Sequence, residues 1–408
     1  MKYTLTIITI ILFYISTQAQ TVQISMGNNY TNQVFYSMQN GEIKNISNDN
    51  WDLAFTTDQY ASTIRTNDGK GVELYTYHLG DTSDWQNINI SIMNNLSSGM
   101  YNSEISWYDG AFENNSLGHP DYGWGVYNMI NHNVTGDSLY IIKTINGNWK
   151  KIWIQELTTS GEYIFKFANL DGSNETTQSI LKTNYTDKNF IYFSIDQNTI
   201  IDREPISSEW DITFTKYISP VQAMPYPVTG VLTNSNTEVA KATGITDPLT
   251  YFDYSNHNFN NEINSIGYDW KSYQGSFVVD ANRCYFIKDK NENIWRLVFN
   301  SFDGMSTGNI EFNTELIFNT SSVNINKTNS LNVFPNPTTQ NTNLIFDFEE
   351  ECLINIYDIS GVKVYSKQLN SGGLELINLP TENFDAGLYF LVVYKENRVL
   401  AKEKLIVQ

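Results

Sequence analysis

The sequence is short of the residues that most often do chemistry. Its 408 residues include four histidines, two cysteines and nine prolines. Only 25 lysines and arginines stand against 44 aspartates and glutamates, a net charge of −19. Each shortage excludes something. A surface this acidic repels phosphate backbones and anionic lipid, which removes nucleic acid as a partner. Two cysteines cannot staple a small scaffold. Cys284 and Cys352 fall in segments assigned below to different domains, so they are expected to be unpaired, buried thiols. No G-x-S-x-G elbow, P-loop, H-E-x-x-H or C-x-x-C occurs, so no enzyme signature is present. Carboxylate pairs such as Glu104 with Asp109 are too common in this composition to mark a hydrolytic centre.

Long apolar runs are also missing, and no transmembrane anchor is expected. The stretch from Leu5 to Ile15 is too short to span a bilayer. It follows the basic Lys2 and precedes the small-residue site Thr17-Gln18-Ala19, so residues 1–19 read as a signal peptide cut after Ala19.

What is abundant favours strands. Aromatic residues make up 14% of the chain, with 26 tyrosines and 22 phenylalanines. Asparagine and glycine separate short apolar runs, as turn residues do. In Glu162–Asn169, Tyr163, Phe165 and Phe167 alternate with other residues at a period of two. Helical periodicity with capping signals is weak throughout. The expectation is an all-β protein: tandem duplicated antiparallel β domains, then a small C-terminal immunoglobulin-like β-sandwich.

The duplication is visible in matched phrases. Asn50-Trp51-Asp52-Leu53-Ala54-Phe55-Thr56 returns as Glu209-Trp210-Asp211-Ile212-Thr213-Phe214-Thr215. Val34-Phe35-Tyr36-Ser37 precedes the first copy, and Ile191-Tyr192-Phe193-Ser194 the second. A Thr-Asn pair follows each, Thr66-Asn67 and Thr233-Asn234. The segment Tyr140 to Ile154 matches Tyr285 to Phe299, and "TINGN" and "DKNEN" within them read as hairpin turns. The period is far above that of a solenoid unit, so whole domains are repeated: residues 20–183 and 184–318. In each Trp-Asp phrase, Trp51, Leu53 and Phe55 are expected on one strand face, in the core. Asp52 is expected to cap a neighbouring turn through its carboxylate rather than to catalyse.

These phrases resemble the HmuY family of surface proteins of Bacteroidota. The features that carry the resemblance are "WDLAF" and "WDITF", the following "RTN" and "LTN", and the two hairpins. The resemblance implies mostly-β domains and, in its best-known members, haem held by paired His or Met ligands. In this chain the ligand candidates are His119 and His132, with Met129 close by, in a Gly- and Asn-rich segment of the first repeat. No family motif covers either histidine, and the second repeat has only His257, so all four histidines read equally as loop residues. A saccharide site is the other candidate, resting on Trp85, Trp107 and Trp124 in polar segments of the first repeat.

From Leu331 the text changes again. Residues 319–330 are polar and aperiodic, a linker. Residues 331–408 show short strands at regular spacing. "VFPNP" (with Pro335, Asn336 and Pro337), "IYDISGVKVY" (with Gly361), "GLYFLVV" (with Gly387 and Tyr389) and the terminal "KEKLIV" (with Lys404) resemble the type A C-terminal sorting domain of the type IX secretion system. That resemblance implies export through the periplasm, recognition by the outer-membrane translocon and sorting machinery, and release outside the cell or at its surface. The sequence thus leads to a secreted or cell-surface, non-enzymatic protein whose tandem β domains bind an extracellular ligand or partner. The alternatives are haem capture and action on extracellular glycans as a hydrolase or binder.

Overall fold

Where apolar and polar residues alternate, the chain forms strands. Tyr163, Phe165 and Phe167 are buried on one face of Glu162–Asn169, while Glu162, Ile164 and Lys166 lie at intermediate depth on the other. The computed structural model describes residues 20–318, 329–348, 352–369, 373–395 and 398–408. The expected signal peptide and most of the expected linker, 319–328, lie outside them. The chain divides into two compact units, Met1–Asn319 and Thr320–Gln408.

The first unit consists of two arms and two bodies. The first arm holds β1 (Gln20–Ser25), β2 (Asn32–Ser37) and β3 (Gly41–Ser47). The first body holds β4 (Leu53–Thr56), β5 (Ile64–Thr66), β6 (Glu73–Thr76), β7 (Gly99–Met100), β8 (Gly125–Tyr127), β9 (Val134–Gly136), β10 (Tyr140–Lys143), β11 (Trp149–Leu157) and β12 (Glu162–Asn169). The second arm holds β13 (Thr176–Leu181), β14 (Phe190–Ser194) and β15 (Thr199–Ile201). The second body holds β16 (Ile212–Val221), β17 (Met224–Thr233), β18 (Glu238–Thr243), β19 (Lys271–Tyr273), β20 (Phe277–Val279), β21 (Arg283–Lys288), β22 (Ile294–Phe302) and β23 (Asn309–Phe318).

The arms are exchanged. In one sandwich, sheet β13-β12-β11-β10-β6-β7 faces sheet β15-β14-β4-β5. In the other, β1-β23-β22-β21-β18 faces β17-β16-β2-β3. The two strand orders match except at β7, which has no counterpart, and each sandwich combines the body of one repeat with the arm of the other. A boundary between residues 183 and 184 therefore cuts through a strand arm that belongs to the first sandwich, and it leaves β1 and β2 paired to β23 and β16 beyond it. Sequence similarity locates the copies, but edge hydrogen bonding decides the sandwich to which each strand belongs.

The repeated Trp-Asp and Thr-Asn phrases lock this exchange. The Asp52 carboxylate accepts from Ile195 N–H and Ile145 N–H, both at 2.7 Å. Asp211 accepts from Met38 N–H at 2.6 Å. Each aspartate thus caps the end of the arm strand that came from the other repeat, as the capping expectation required. Asn67 Nδ2 donates to Asn48 O and Trp51 O, and Asn234 Nδ2 donates to Ser207 O and Trp210 O. One expectation is corrected. Leu53 and Phe55 enter the core between the sheets, but Trp51 packs with Ala54, Phe190 and Tyr192 on the other face. Strand β4 begins only at Leu53, so the period-two rule does not reach back to Trp51. Trp51 stacks edge-on to Tyr192, and Trp210 edge-on to Phe35, each on an aromatic ring from the exchanged arm.

Between the arms lies Arg203, fully buried. It donates to Gln33 Oε1 at 2.6 Å, to Ser47 O at 3.0 Å and to Asn48 Oδ1 at 3.2 Å, and it lies over the rings of Trp51 and Tyr192. The expected hairpin turns are present: Gly147 N–H donates to Thr144 O and Glu292 N–H to Asp289 O. Cys284 and Cys352 are both buried, as expected. Burial pushes the Cys284 thiol up to about 11.

In the second unit, β24 (Asn329–Phe334), β25 (Asn341–Phe348) and β28 (Gly373–Pro380) form one sheet. The other contains β26 (Cys352–Asp358), β27 (Lys363–Leu369), β29 (Gly387–Lys395) and β30 (Arg398–Val407), in the order β27-β26-β29-β30. A core of Leu344, Phe346, Ile354, Ile356, Leu391, Val393 and Leu405 lies between them. The motif residues have structural places here. Gly361 takes φ +82° in the turn after β26, Gly387 opens β29, and the Tyr389 hydroxyl donates to Asp385 O at 2.8 Å. Asn336, between Pro335 and Pro337, donates to Lys404 O at 2.6 Å and accepts from Ile406 N–H at 2.8 Å, so "VFPNP" is clipped to the last strand.

Candidate functional site

A half-open groove of about 720 Å³ lies at one end of the β11–β12 pair. Four segments wall it: 57–62 after β4, 119–134 around β8 and β9, the β11–β12 turn at 157–161, and 182–186 after β13. Three of them come from the first body and one from the exchanged arm of the second repeat. The groove is therefore complete only because the arms cross.

His119, His132 and Met129 all line it. Sequence spacing alone did not require this. The segment doubles back through β8 and β9, which pair antiparallel, Val126 with Thr135 and Tyr127 with Val134. His132 is held at φ +61°, a left-handed position in the turn between them. His119 Nδ1 lies 3.2 Å from the Tyr122 hydroxyl, and His132 Nδ1 lies 2.6 Å from the Tyr127 hydroxyl. The Tyr127 ring contacts both imidazoles, with centroids 5.3 Å from His119 and 5.9 Å from His132. The rim carries exposed apolar side chains: Tyr60, 92% exposed, and Met129, 69%.

Sequence reasoning missed the two tyrosines, although they lie in the same short segment as the histidines. It also missed Lys182, which no local signal could have placed beside residues 57–62. Lys182 Nζ donates to Asp58 O at 2.7 Å and to Ala61 O at 2.5 Å, tying the arm to the opposite wall. Burial lowers its pKa to about 8. The lining contains hydroxyls on Thr57, Thr158, Thr159, Ser160 and Thr183, and contains no aspartate or glutamate. A hydrolase that works through a carboxylate pair would find no pair here.

The other candidates are not in the groove. His257 Nε2 lies 2.9 Å from Tyr251 OH in the second body. The three tryptophans take the alternative to saccharide stacking, which is packing inside the protein. Trp85 and Trp124 are buried, Trp107 is partly buried, and each spends its indole N–H inside the protein, on Glu175 Oε2, Ser62 O and Thr233 O respectively. Large apolar area drew them into the packing. In the turn after β12, Asp171 Oδ1 accepts from the N–H and hydroxyl of Ser173.

Among the described residues no group of three or more His, Cys, Asp or Glu side chains is gathered to hold a bare metal ion. An iron porphyrin asks for less, one or two axial donors and room for the ring. His119, His132 and Met129 on the groove lining are the donor types such a group takes. With Nδ1 of each histidine engaged by a phenol, Nε2 is the nitrogen left to donate, the arrangement by which outer partners orient a ligating imidazole. The carboxylate-free lining does not repel an anionic ligand.

The fold and the tail define an exported all-β protein with a sorting domain at its C-terminal end. Residues 332–408 match the family of the secretion system C-terminal sorting domain, so the chain carries a tail that implies export to the cell surface or the extracellular space. No helix among the described residues is long and apolar enough to cross a membrane. The chain is 24% identical over 140 residues to an ulvan lyase of Nonlabens ulvanivorans, a match covering 31% of this chain and 26% of that protein. Among solved structures it is similar to a polysaccharide lyase (10% identity, 88% of this chain and 40% of that one, TM-score 0.18). It is also similar to dimeric latent PorU from Porphyromonas gingivalis (11% identity, 92% and 40%, TM-score 0.18). The chain thus spans about a quarter of the curated relative and less than half of these solved structures.

Proposed function

We propose that the protein is delivered outside the cell by type IX secretion and there binds a ligand in the groove of the first sandwich without transforming it, and that the ligand is an iron porphyrin held through His119 and His132. The observation that carries this reading is the pair of imidazoles, each backed at Nδ1 by a tyrosine hydroxyl, lining one groove. The resemblance of the Trp-Asp phrases to the HmuY family supports it. His119 and His132 would hold the porphyrin iron, which would supply its visible absorption and redox chemistry. Tyr122 and Tyr127 would orient the rings, and Tyr60 and Met129 would cover apolar ring surface. The test is a haemin titration of the purified protein followed in the Soret band. A saturable shift is expected that weakens in His119→Ala and in His132→Ala and is lost in the double variant. An unchanged spectrum, or a shift that survives the double substitution, refutes the reading.

A second reading is a saccharide ligand. It is favoured by the hydroxyl wall from Thr57, Thr158, Thr159, Ser160 and Thr183 and by the partial likeness to a protein named as an ulvan lyase. Affinity electrophoresis in gels containing acidic and neutral polysaccharides tests it. Retardation that Tyr127→Ala abolishes would support it, and unretarded migration in every gel would sink it.

A further inference from the structure

In a sandwich of antiparallel sheets each strand sends alternate residues into the core, and the outward set meets water and is ordinarily polar. One face of the second unit departs from this. Strand β29 sends Tyr389, Leu391 and Val393 into the core, so Leu388, Phe390, Val392 and Tyr394 fall on the outer side of its sheet. The strand register carries the same surface sideways. Tyr357 of β26 lies opposite Phe390, and Ile406 of β30 lies opposite Leu388. Phe390 is 38% exposed and Ile406 42%.

The charge on this face has one sign. Lys404 lies opposite Phe390, Lys402 opposite Val392 and Lys363 opposite Tyr357, and all three lysines are exposed. Glu403, the one carboxylate of β30, lies opposite Leu391 and so belongs to the other side. Among the described residues, the outer positions of β26, β27, β29 and β30 hold no aspartate or glutamate, in a chain whose net charge is −19. The polar side chains inside the face answer one another: Asn355 Nδ2 donates to the Tyr357 hydroxyl at 3.1 Å, and Asn355 Oδ1 accepts from the Ser366 hydroxyl at 2.7 Å. A partner can therefore cover the face without stranding them. An exposed apolar and aromatic surface of this kind marks an interaction site, and its lysines call for carboxylates on the surface that meets it.

We propose that the outer face of the sheet β27-β26-β29-β30 is the surface by which the tail docks on the export machinery, and that the machinery meets it with an apolar protein surface carrying carboxylates. This rests on the reading that the tail directs export, which the match of residues 332–408 to the sorting-domain family supports, and it adds where on the tail recognition takes place. A second copy is a poorer occupant, because a two-fold contact between identical faces would set lysine against lysine. An anionic lipid surface is opposed by the net charge of −19.

The test is export of the full chain from its own bacterium, read by immunoblot as the amount at the cell surface and in the medium against the amount in the periplasm. The double change Lys402→Glu with Lys404→Glu, and separately Phe390→Asn, are expected to lower the exported fraction about tenfold or more, with the chain left in the periplasm. Asn343→Asp, on the outer face of the other sheet, where Asn343 Oδ1 accepts from Asn378 Nδ2, is expected to leave export unchanged. A calorimetric transition of the tail close to that of wild type shows that a variant folds, and if Phe390→Asn does not fold, the lysine pair decides. Export of the folded lysine variant at the wild-type level overturns the proposal. So does a dimer of the purified chain that the lysine reversals dissociate, which would give the face to a second copy, or flotation with phosphatidylglycerol vesicles that they abolish, which would give it to lipid. Undiminished export of the chain lacking residues 331–408 would instead overturn the reading of the tail itself, and the docking face with it.

Discussion

Replacing Asp52 by alanine should destabilise the first unit more than the same change at its twin, Asp211, and the gap should depend on pH. Asp52 is fully buried and its two oxygens receive two backbone N–H groups, from Ile145 and Ile195. Asp211 receives one backbone N–H, from Met38. Each orphaned buried N–H costs about 1–3 kcal/mol, so the structure assigns roughly 4 kcal/mol to Asp52→Ala and about half that to Asp211→Ala. Burial raises the Asp52 pKa from 3.8 to about 6. The folded state therefore holds a proton at pH 5 that the unfolded state has largely lost, and this stabilises wild type by about 1.4 kcal/mol relative to pH 8. The alanine variant lacks that contribution, so its deficit should be larger at pH 5 than at pH 8 by about that amount. The assay is urea unfolding followed by tryptophan fluorescence. All nine tryptophans precede the tail, so the signal reports the first unit alone. Equal losses in the two variants, or a loss below about 0.5 kcal/mol for Asp52→Ala, would refute the view that these aspartates clasp the exchanged arms.

Three further outcomes follow from the same geometry. Burial also raises Asp68 to about 6 and Glu204 to about 7, so their stabilisation is present below about pH 4 and fades as pH rises through 6–7. Lys182 and Lys271 are lowered to about 8 and about 7, and stability should recover from pH 7 towards 10, where only the unfolded lysines still bind protons. Fluorescence-monitored urea midpoints should therefore pass through a minimum near neutrality, and a maximum there would contradict these assignments. Arg203→Ala should cost about 3 kcal/mol in the same unfolding assay, because Gln33, Ser47 and Asn48 lose a buried donor; a loss within about 0.5 kcal/mol would show that the arginine is dispensable. Asn336→Ala should lower the thermal midpoint of the isolated transition of the tail by several degrees, a loss of about 1–2 kcal/mol, since it frees Ile406 N–H and Lys404 O. An unchanged calorimetric transition would remove the clip from the tail's stability.

Much of this protein can be read from its one-dimensional text, and the reason is local. Period-two alternation and turn residues act within a few positions, so "EYIFKFANL", "TINGN" and "DKNEN" announce their strands and hairpins unaided. The tail motifs are also local, and Pro335 to Pro337 and Gly361 have places that their own chemistry explains. The role of Asp52 as a cap was legible because a short carboxylate beside a strand has few other uses in a core. What its carboxylate caps was not legible.

The pairing of β2 with β16 and of β4 with β14 joins residues far apart in the chain. Two repeats with the same strand pattern offer each arm two similar docking edges, and hydrophobic pattern alone cannot choose between them. The same holds at the groove, where His119 and His132 could be named from the sequence. Their meeting with Tyr122, Tyr127 and Lys182 depends on a loop that folds back and an arm that crosses over. Sequence thus determined the elements, the duplication and the destination outside the cell. Tertiary structure alone decided which copy completes which sandwich, because that choice lies in long-range hydrogen bonds that leave no periodic trace in the chain.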